Sequence, residues 1–340
     1  MVDTIYFEES VTDHPRTREI FSRFKTARKI PIQRYGEIFN NRNQDFKLQK
    51  RNPALILAKK HKGFVLPVPA GFGIGHRINF YFSHMYNCIY DCRYCFLQGM
   101  YSSANYILFV NYEDFSKQIE SIINAHGENE VAFFSGYDCD SLALENVTRF
   151  ASFILPLFKK YPTALLELRT KSTQLKPMIN STAMDNCIVA YSLIPELMSK
   201  SLDHKTPNVE RRINAMRKLA LRGWKLGLRL DPLIHGKDWQ IHYRGLIKCI
   251  FDEVPHESIH SISFGALRFP KAMFKKIYSM HPDEKLFSGP LSHKNGVIAY
   301  KSDVENEMIS FCRDIVSQFV SESVIFNCSF DPNTNKEILL

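Results

Sequence analysis

Cys88, Cys92 and Cys95 lie in the run CIYDCRYC, so three of the chain's eight cysteines fall within eight positions. The spacing is C-x3-C-x2-C. Thiolates are soft ligands that carry negative charge, and they suit the irons of a sulfur cluster. Three of them can hold three irons of a [4Fe–4S] cubane and leave the fourth iron open to a chelating ligand. The alternative is a zinc site completed by His84 or by a distant cysteine, although no second C-x2-C pair is present. Cys187, Cys249, Cys312 and Cys328 fall in apolar-patterned segments and read as core residues.

These thiols need a frame. The chain has 340 residues, 45% of them hydrophobic and 13% aromatic, enough to bury a large core. No apolar run approaches the roughly 20 residues that cross a bilayer. The segment MVDTIYFEES lacks the pattern of a secretory signal. With sparse cysteines, reduced thiols and a cytoplasmic setting are expected. The net charge of +9 suits a polyanionic partner, but equally a basic enzyme with scattered solvated lysines. Arg16, Arg18, Arg23, Lys25, Arg28, Lys29 and Arg34 crowd one segment. Lys47, Lys50, Arg51, Lys59, Lys60 and Lys62 crowd the next, with Phe21, Phe24, Tyr35, Phe39 and Phe46 among them.

From residue 78 strands and helices alternate. Strand patterns fall at 78–84, 130–136, 164–170, 187–193, 224–232 and 258–267. Helical periodicity falls at 112–126, 143–161, 208–223 and 239–253. Short apolar strands followed by helices predict an α/β fold, a partial (β/α)6 TIM-like barrel. Residues 1–75 form a basic N-terminal region, 76–268 the barrel and 269–340 a C-terminal α+β extension. The extension carries helical patterns at 271–280 and 305–319 and a final strand at 323–330. In such barrels chemistry sits just after each strand, which is where the cysteine run falls. Arg229 and Asp231, at the end of the fifth strand, could face that site.

The cysteine run resembles the C-x3-C-x-aromatic-C signature of radical S-adenosylmethionine enzymes. The resemblance extends to the spore photoproduct lyase family through CIYDCRYCFLQGMYSSANYILFVNYEDF, FFSGYDCDSLALENVT (with Asp140, Glu145 and Thr148), LRTKS, AYSL, KTPNVERRINAM and LDPLIHGKDWQIHYR. It covers roughly residues 78–330. It implies a [4Fe–4S] cluster on Cys88, Cys92 and Cys95, and S-adenosyl-L-methionine chelating the open iron. Reductive cleavage of that cofactor would give a 5′-deoxyadenosyl radical. The resemblance also implies Tyr94 near the adenine, Lys171 near the cofactor carboxylate and Ser192 close by. The implied partners are a nucleic acid carrying a thymine-dimer photoproduct and a reduced flavodoxin- or ferredoxin-like electron donor.

The chain departs from the family pattern at two positions. Phe96 stands where the family has a relay tyrosine. Tyr137 stands where it has a hydrogen-donating cysteine, and Cys139 falls in the register of a family serine near the cofactor. Either Tyr137 or Cys139 serves as donor, or the radical acts on another substrate such as an RNA base or small molecule, or Cys139 is simply buried. A non-catalytic metal–thiolate protein that binds nucleic acid is a further alternative. Lys294 aligns loosely with a family position that grips the lesion.

Overall fold

The structure, a computed structural model, describes residues 2–42, 44–69, 71–127 and 129–328. Its centre is an open, curled sheet. Six parallel strands run in chain order: Ile78–Phe82, Val131–Ser135, Ala164–Thr170, Cys187–Ser192, Lys225–Leu233 and Ile259–Ala266. Each falls within a residue or two of its expected bounds. The short strand Leu66–Pro67 caps one edge antiparallel, and Ile325–Asn327 adds to the other edge in parallel.

Strand alternation divides the core in two. Ala132, Leu165, Ile188 and Ala190 pack with Ile74 in a small cluster, while their odd-even neighbours Val131, Phe133, Leu166, Leu168, Val189 and Tyr191 join the large core. The small cluster is the inner face of the half-barrel, because side chains on a strand alternate between faces. Glu167 and Arg229 share the inner parity. Glu167 accepts from Arg229 at 2.7 and 3.2 Å and from Arg169 at 3.1 Å. Arg229 also donates to the backbone and hydroxyl of Ser261 at 3.0 and 2.9 Å. The inner face has no room to spare here: a Cβ on Gly227 would sit 2.6 Å from the Arg229 guanidinium.

The flanking helices match their periodicity at Tyr112–His126, Val209–Ala220 and Trp239–Glu253. The predicted helix over 143–161 divides into Glu145–Thr148 and Phe150–Lys160 around Arg149, which has a φ of 50°. Glu145 explains the break. Its carboxylate accepts from the N–H groups of Ala151 and Ser152 at the start of the second helix, at 2.9 and 3.1 Å.

The N-terminal region holds a second sheet that no sequence pattern announced. Arg28–Ile32, Thr4–Glu8, Leu55–Ala58 and Tyr106–Phe109 run parallel in that order, and Met85–Tyr86 joins antiparallel. Two of its strands therefore come from the connection that follows the first barrel strand. Part of the basic character expected on this surface is paired within the chain. Arg16 pairs with Glu113 at 2.8 Å and stacks on Tyr112; Arg18 pairs with Asp13 and Arg23 with Glu19. Lys60 is buried, with its ammonium 3.0 Å from the Tyr86 hydroxyl.

After the barrel, strand Arg268–Pro270 leads into helix Lys271–Met280 and forms a small antiparallel sheet with Val297–Tyr300, which also pairs with Leu291–Lys294. Helix Ser302–Val316 then leads back to the barrel edge, starting three residues earlier than predicted. Of the final predicted strand, 325–327 are extended, and 329 and 330 lie outside the described residues. The backbone of Lys294 is in the sheet, but its side chain lies outside what is described. Cys187, Cys312 and Cys328 are buried as expected, whereas Cys249 is exposed on helix Trp239–Glu253. Among the described residues, no helix is long and apolar enough to cross a membrane.

Candidate metal and cofactor site

The cysteine loop is pinned from four directions. Asn87 takes a left-handed conformation (φ 65°), and its amide donates to the carbonyls of Ser103 and Asn105 at 2.8 and 2.7 Å. Asp91–Cys92 pairs antiparallel with Asp203–His204. Lys50 reaches in from the N-terminal region and donates to the carbonyls of Cys88 and Tyr90, at 2.8 and 3.1 Å. Gln98 donates to the Cys92 carbonyl, and its own oxygen lies 2.9 Å from the ring of His281.

Helix Lys271–Met280 packs so closely on this loop that a Cβ on Gly99 would stand 2.5 Å from the Met273 carbonyl and 2.8 Å from its Cα. Backbone on both sides cannot yield as a side chain can. Gly99→Ala is therefore expected to destabilise the protein by about 1–3 kcal/mol, read as a lowered thermal midpoint. An unchanged midpoint would show that the helix can move off the loop.

The thiols are largely shielded from water. Burial raises Cys88 to about 12, with Asp140 adding to the effect, and also raises Cys92 and Cys95. Without a compensating cation these groups stay protonated. Lys171, just past the third barrel strand, supplies one positive charge. Burial alone would lower its pKa, but Cys92 and Asp203 outweigh that and raise it. Its ammonium lies 5.4 Å above the Tyr94 ring. Asp140 fixes this turn by accepting from the Lys171 N–H and the Thr170 hydroxyl, both at 2.6 Å.

Tyr94 is buried and donates its hydroxyl to Asp203. Asp203 also accepts from Arg212 at 2.8 Å, with both side chains fully buried. Burial would raise the Asp203 pKa, yet Lys171 and Arg212 together hold it below the usual carboxylate range. Arg212 donates as well to the carbonyl of Ser192, at 3.2 Å. The fold thus gathers Cys92, Tyr94, Lys171 and Ser192 around one Asp203–Arg212 pair. Sequence reasoning missed that pair. The signal for it was Arg212 between Val209, Ile213 and Met216 on the apolar face of a helix.

Tyr137 follows the second barrel strand. Its ring lies 4.5 Å from that of Tyr81 and 5.7 Å from that of Phe96. The two positions that depart from the family pattern are therefore in contact, and Tyr81 is a third member that sequence reasoning did not single out. Cys139 is buried, and Cys88 is among the charges that raise its thiol pKa after burial itself. Arg229 is committed to Glu167 in the barrel, and Asp231 pairs with Arg268 at 3.1 Å.

His84 stacks on Phe150 at 4.1 Å within the aromatic core. Among the described residues, no three His, Cys, Asp or Glu side chains converge as ligands of a single ion. A cubane assigns each thiolate to a different iron, so it does not require such convergence. The donor set, three thiols on one partly buried loop with a cation beside two of them, fits a cluster and an adjacent carboxylate ligand.

A parallel half-barrel carrying a cysteine loop beyond its first strand defines the class: an α/β barrel with a thiolate site at the strand ends. The spore photoproduct lyase family model matches residues 1–294, and the chain belongs to that family. Spore photoproduct lyase of Bacillus subtilis is 23% identical over 58% of this chain and 59% of its own length. That of Clostridium acetobutylicum is 20% identical over 84% of each. A variant spore photoproduct lyase solved with bound AdoMet and dinucleoside spore photoproduct superposes with a TM-score of 0.84 at 17% identity. It covers 97% of this chain and 99% of the other. A lyase complexed with the dinucleoside photoproduct gives 0.82 with the same coverage. These structures share the partial barrel.

Proposed function

We propose that this chain is a radical S-adenosylmethionine enzyme of the photoproduct-lyase type, acting on a nucleic-acid base. The observation that carries the reading is the pinned, partly buried loop of Cys88, Cys92 and Cys95 with Lys171 beside it. The cysteines would hold a [4Fe–4S] cluster, Lys171 would face the carboxylate of the cofactor, and Tyr94 and Ser192 would line its place. When bound and reduced, the cluster supplies the electron that splits the cofactor's sulfonium into methionine and a carbon radical. The chain's own work is to orient, neutralise charge and exclude water. Lys171 balances thiolate and carboxylate charge, the Asp203–Arg212 pair fixes Tyr94, and burial keeps solvent from the reacting carbon.

The test is anaerobic reconstitution followed by incubation with S-adenosylmethionine and an oligonucleotide bearing the thymine-dimer photoproduct. Restored thymines and 5′-deoxyadenosine are expected. Failure to form 5′-deoxyadenosine would refute the radical reading.

The contact between Tyr137 and Phe96 favours a second reading, in which the same radical serves a different substrate, such as an RNA base. 5′-Deoxyadenosine without restored thymines would select it. In either case Phe96 has no O–H to give, and Tyr137, in contact with it, is with Cys139 a candidate to return a hydrogen atom. Tyr137→Phe is expected to lower product yield about 10-fold or more while cofactor cleavage continues. Cys139→Ala separates the two candidate donors: if it, rather than Tyr137→Phe, misdirects the product, the donor is the thiol.

A further inference from the structure

Three guanidiniums and two carboxylates meet inside the barrel, and Arg169 is the charge left over. Burial raises the Cys328 thiol and Asp231 adds to the rise, while Arg169, Arg268 and Arg229 act against it, so these side chains share one interior. Arg229 takes both oxygens of Glu167, at 2.7 and 3.2 Å. Arg268 takes Asp231 at 3.1 Å. Arg169 shares Glu167 through Nε alone, at 3.1 Å, and its Nη1 and Nη2 have no hydrogen-bond partner among the described residues. One carboxylate between two guanidiniums leaves a positive charge without a counter-ion.

That charge is within reach of a ligand. The Arg169 side chain is 37% exposed, whereas Glu167 and Arg229 beside it are wholly buried. Its partner on the fourth strand is Ala190, too small to cover a guanidinium. Arg169 shares the inner parity of Glu167 on the third strand and precedes Lys171 by two residues, about 7 Å along the strand. Its carbonyl accepts from the Ser141 N–H at 3.1 Å, which ties it to the loop of Tyr137 and Cys139. Arg169 therefore stands at the floor of the site, below Lys171 and beside both candidate hydrogen donors.

We propose that Nη1 and Nη2 of Arg169 bind an oxyanion of the substrate, a phosphate or a carboxylate group, at the floor of the barrel. That the anion belongs to a substrate rests on the radical reading above; that Arg169 takes an anion does not. Two N–H donors on one planar fork match two oxygens of such a group, and the hydrogen bonds are strengthened by charge on both sides. An uncharged base edge accepts the same hydrogen bonds but leaves the surplus charge unbalanced in a desolvated site. A substrate anchored at Arg169 is brought beside Tyr137 and Cys139, so the anchor selects substrates by charge as well as by shape.

The experiment uses the reconstituted full-length protein with its cluster oxidised, with and without saturating S-adenosylmethionine. Equilibrium dialysis measures uptake of inorganic phosphate and of acetate at low ionic strength. Wild type is expected to hold one of these anions whether or not the cofactor is present, and Arg169→Gln to weaken that binding roughly tenfold or more. Tighter phosphate marks a nucleotide phosphate as the group, and tighter acetate a carboxylate. Arg169→Lys keeps the charge without the fork and is also expected to bind more weakly than wild type; it carries the test if the glutamine variant does not fold. Wild-type affinity for both anions in a folded variant of either kind would overturn the proposal. So would loss of the anion when S-adenosylmethionine is added, which would give Arg169 to the carboxylate of the cofactor. Anion uptake is measured without turnover, so failure to form 5′-deoxyadenosine would refute the radical reading while the anion site stands on its own result.

Discussion

Cys92→Ala will leave the reconstituted protein with less than one iron per chain, against about four in the wild type, and with no cleavage of S-adenosylmethionine. Cys92 is the most buried of the three thiols and the one whose backbone is most firmly held. Its strand pairs with Asp203–His204, and its carbonyl accepts from Gln98. Alanine removes the sulfur and leaves these contacts in place, so the far-ultraviolet dichroism should not change. Loss of iron without loss of secondary structure separates a ligand from a core residue. Retention of the full iron content would remove Cys92 from the ligand set. Cys139→Ala is the matched control, because it also deletes a buried thiol beside Cys88 yet should keep its iron.

Glu167→Gln will cost about 3–5 kcal/mol of stability, because it leaves Arg229 buried without its carboxylate. Glu167 lies on the third barrel strand, Arg229 on the fifth and Ser261 on the sixth, so one buried group ties half the sheet together. Urea unfolding near neutral pH would measure the loss; a change below about 1 kcal/mol would show that the barrel interior relaxes around an unpaired guanidinium. The same group gives the protein an acid limit. Burial would raise the pKa of Glu167, but Arg229 and Arg169 outweigh it and bring it to about 2, against an ordinary value of 4.5. A lowered pKa means the stabilisation is complete above about 4.5 and is lost as pH falls through about 2. Thermal midpoints measured from about pH 7 down to about pH 3 should therefore fall more steeply in the wild type than in the variant.

The barrel was legible because its strands are buried on both faces and bounded by clear helices. Runs such as ALLELRT and CIVAYS admit few other readings. The second sheet was hidden for the opposite reasons. Leu55–Ala58 and Tyr106–Phe109 are only four residues long, and Arg28–Ile32 is mostly exposed and begins with two cations. None gives enough period-two signal to stand out. At the site, the cysteines, Lys171 and Ser192 could be named from motif and strand position. Lys50, Asp203 and Arg212 could not, because their roles depend on partners 38, 109 and 20 residues away. Basic composition misled in part, since Lys60 is buried and Arg16 is held against Glu113 and Tyr112.

The second sheet has a consequence for the order in which the molecule assembles. Its strand Tyr106–Phe109 must find Leu55–Ala58 across about fifty residues, and Met85–Tyr86, just ahead of the first cysteine, then pairs with Tyr106–Phe109. Contacts this distant in sequence form late, because loop closure must precede them. Until they form, the three cysteines are segments of an unfixed chain. On the cluster reading, removing Thr4–Glu8, the strand on which Leu55–Ala58 pairs, is expected to lower iron uptake on reconstitution without touching a ligand, and an unchanged iron content would show that the loop is fixed without this sheet.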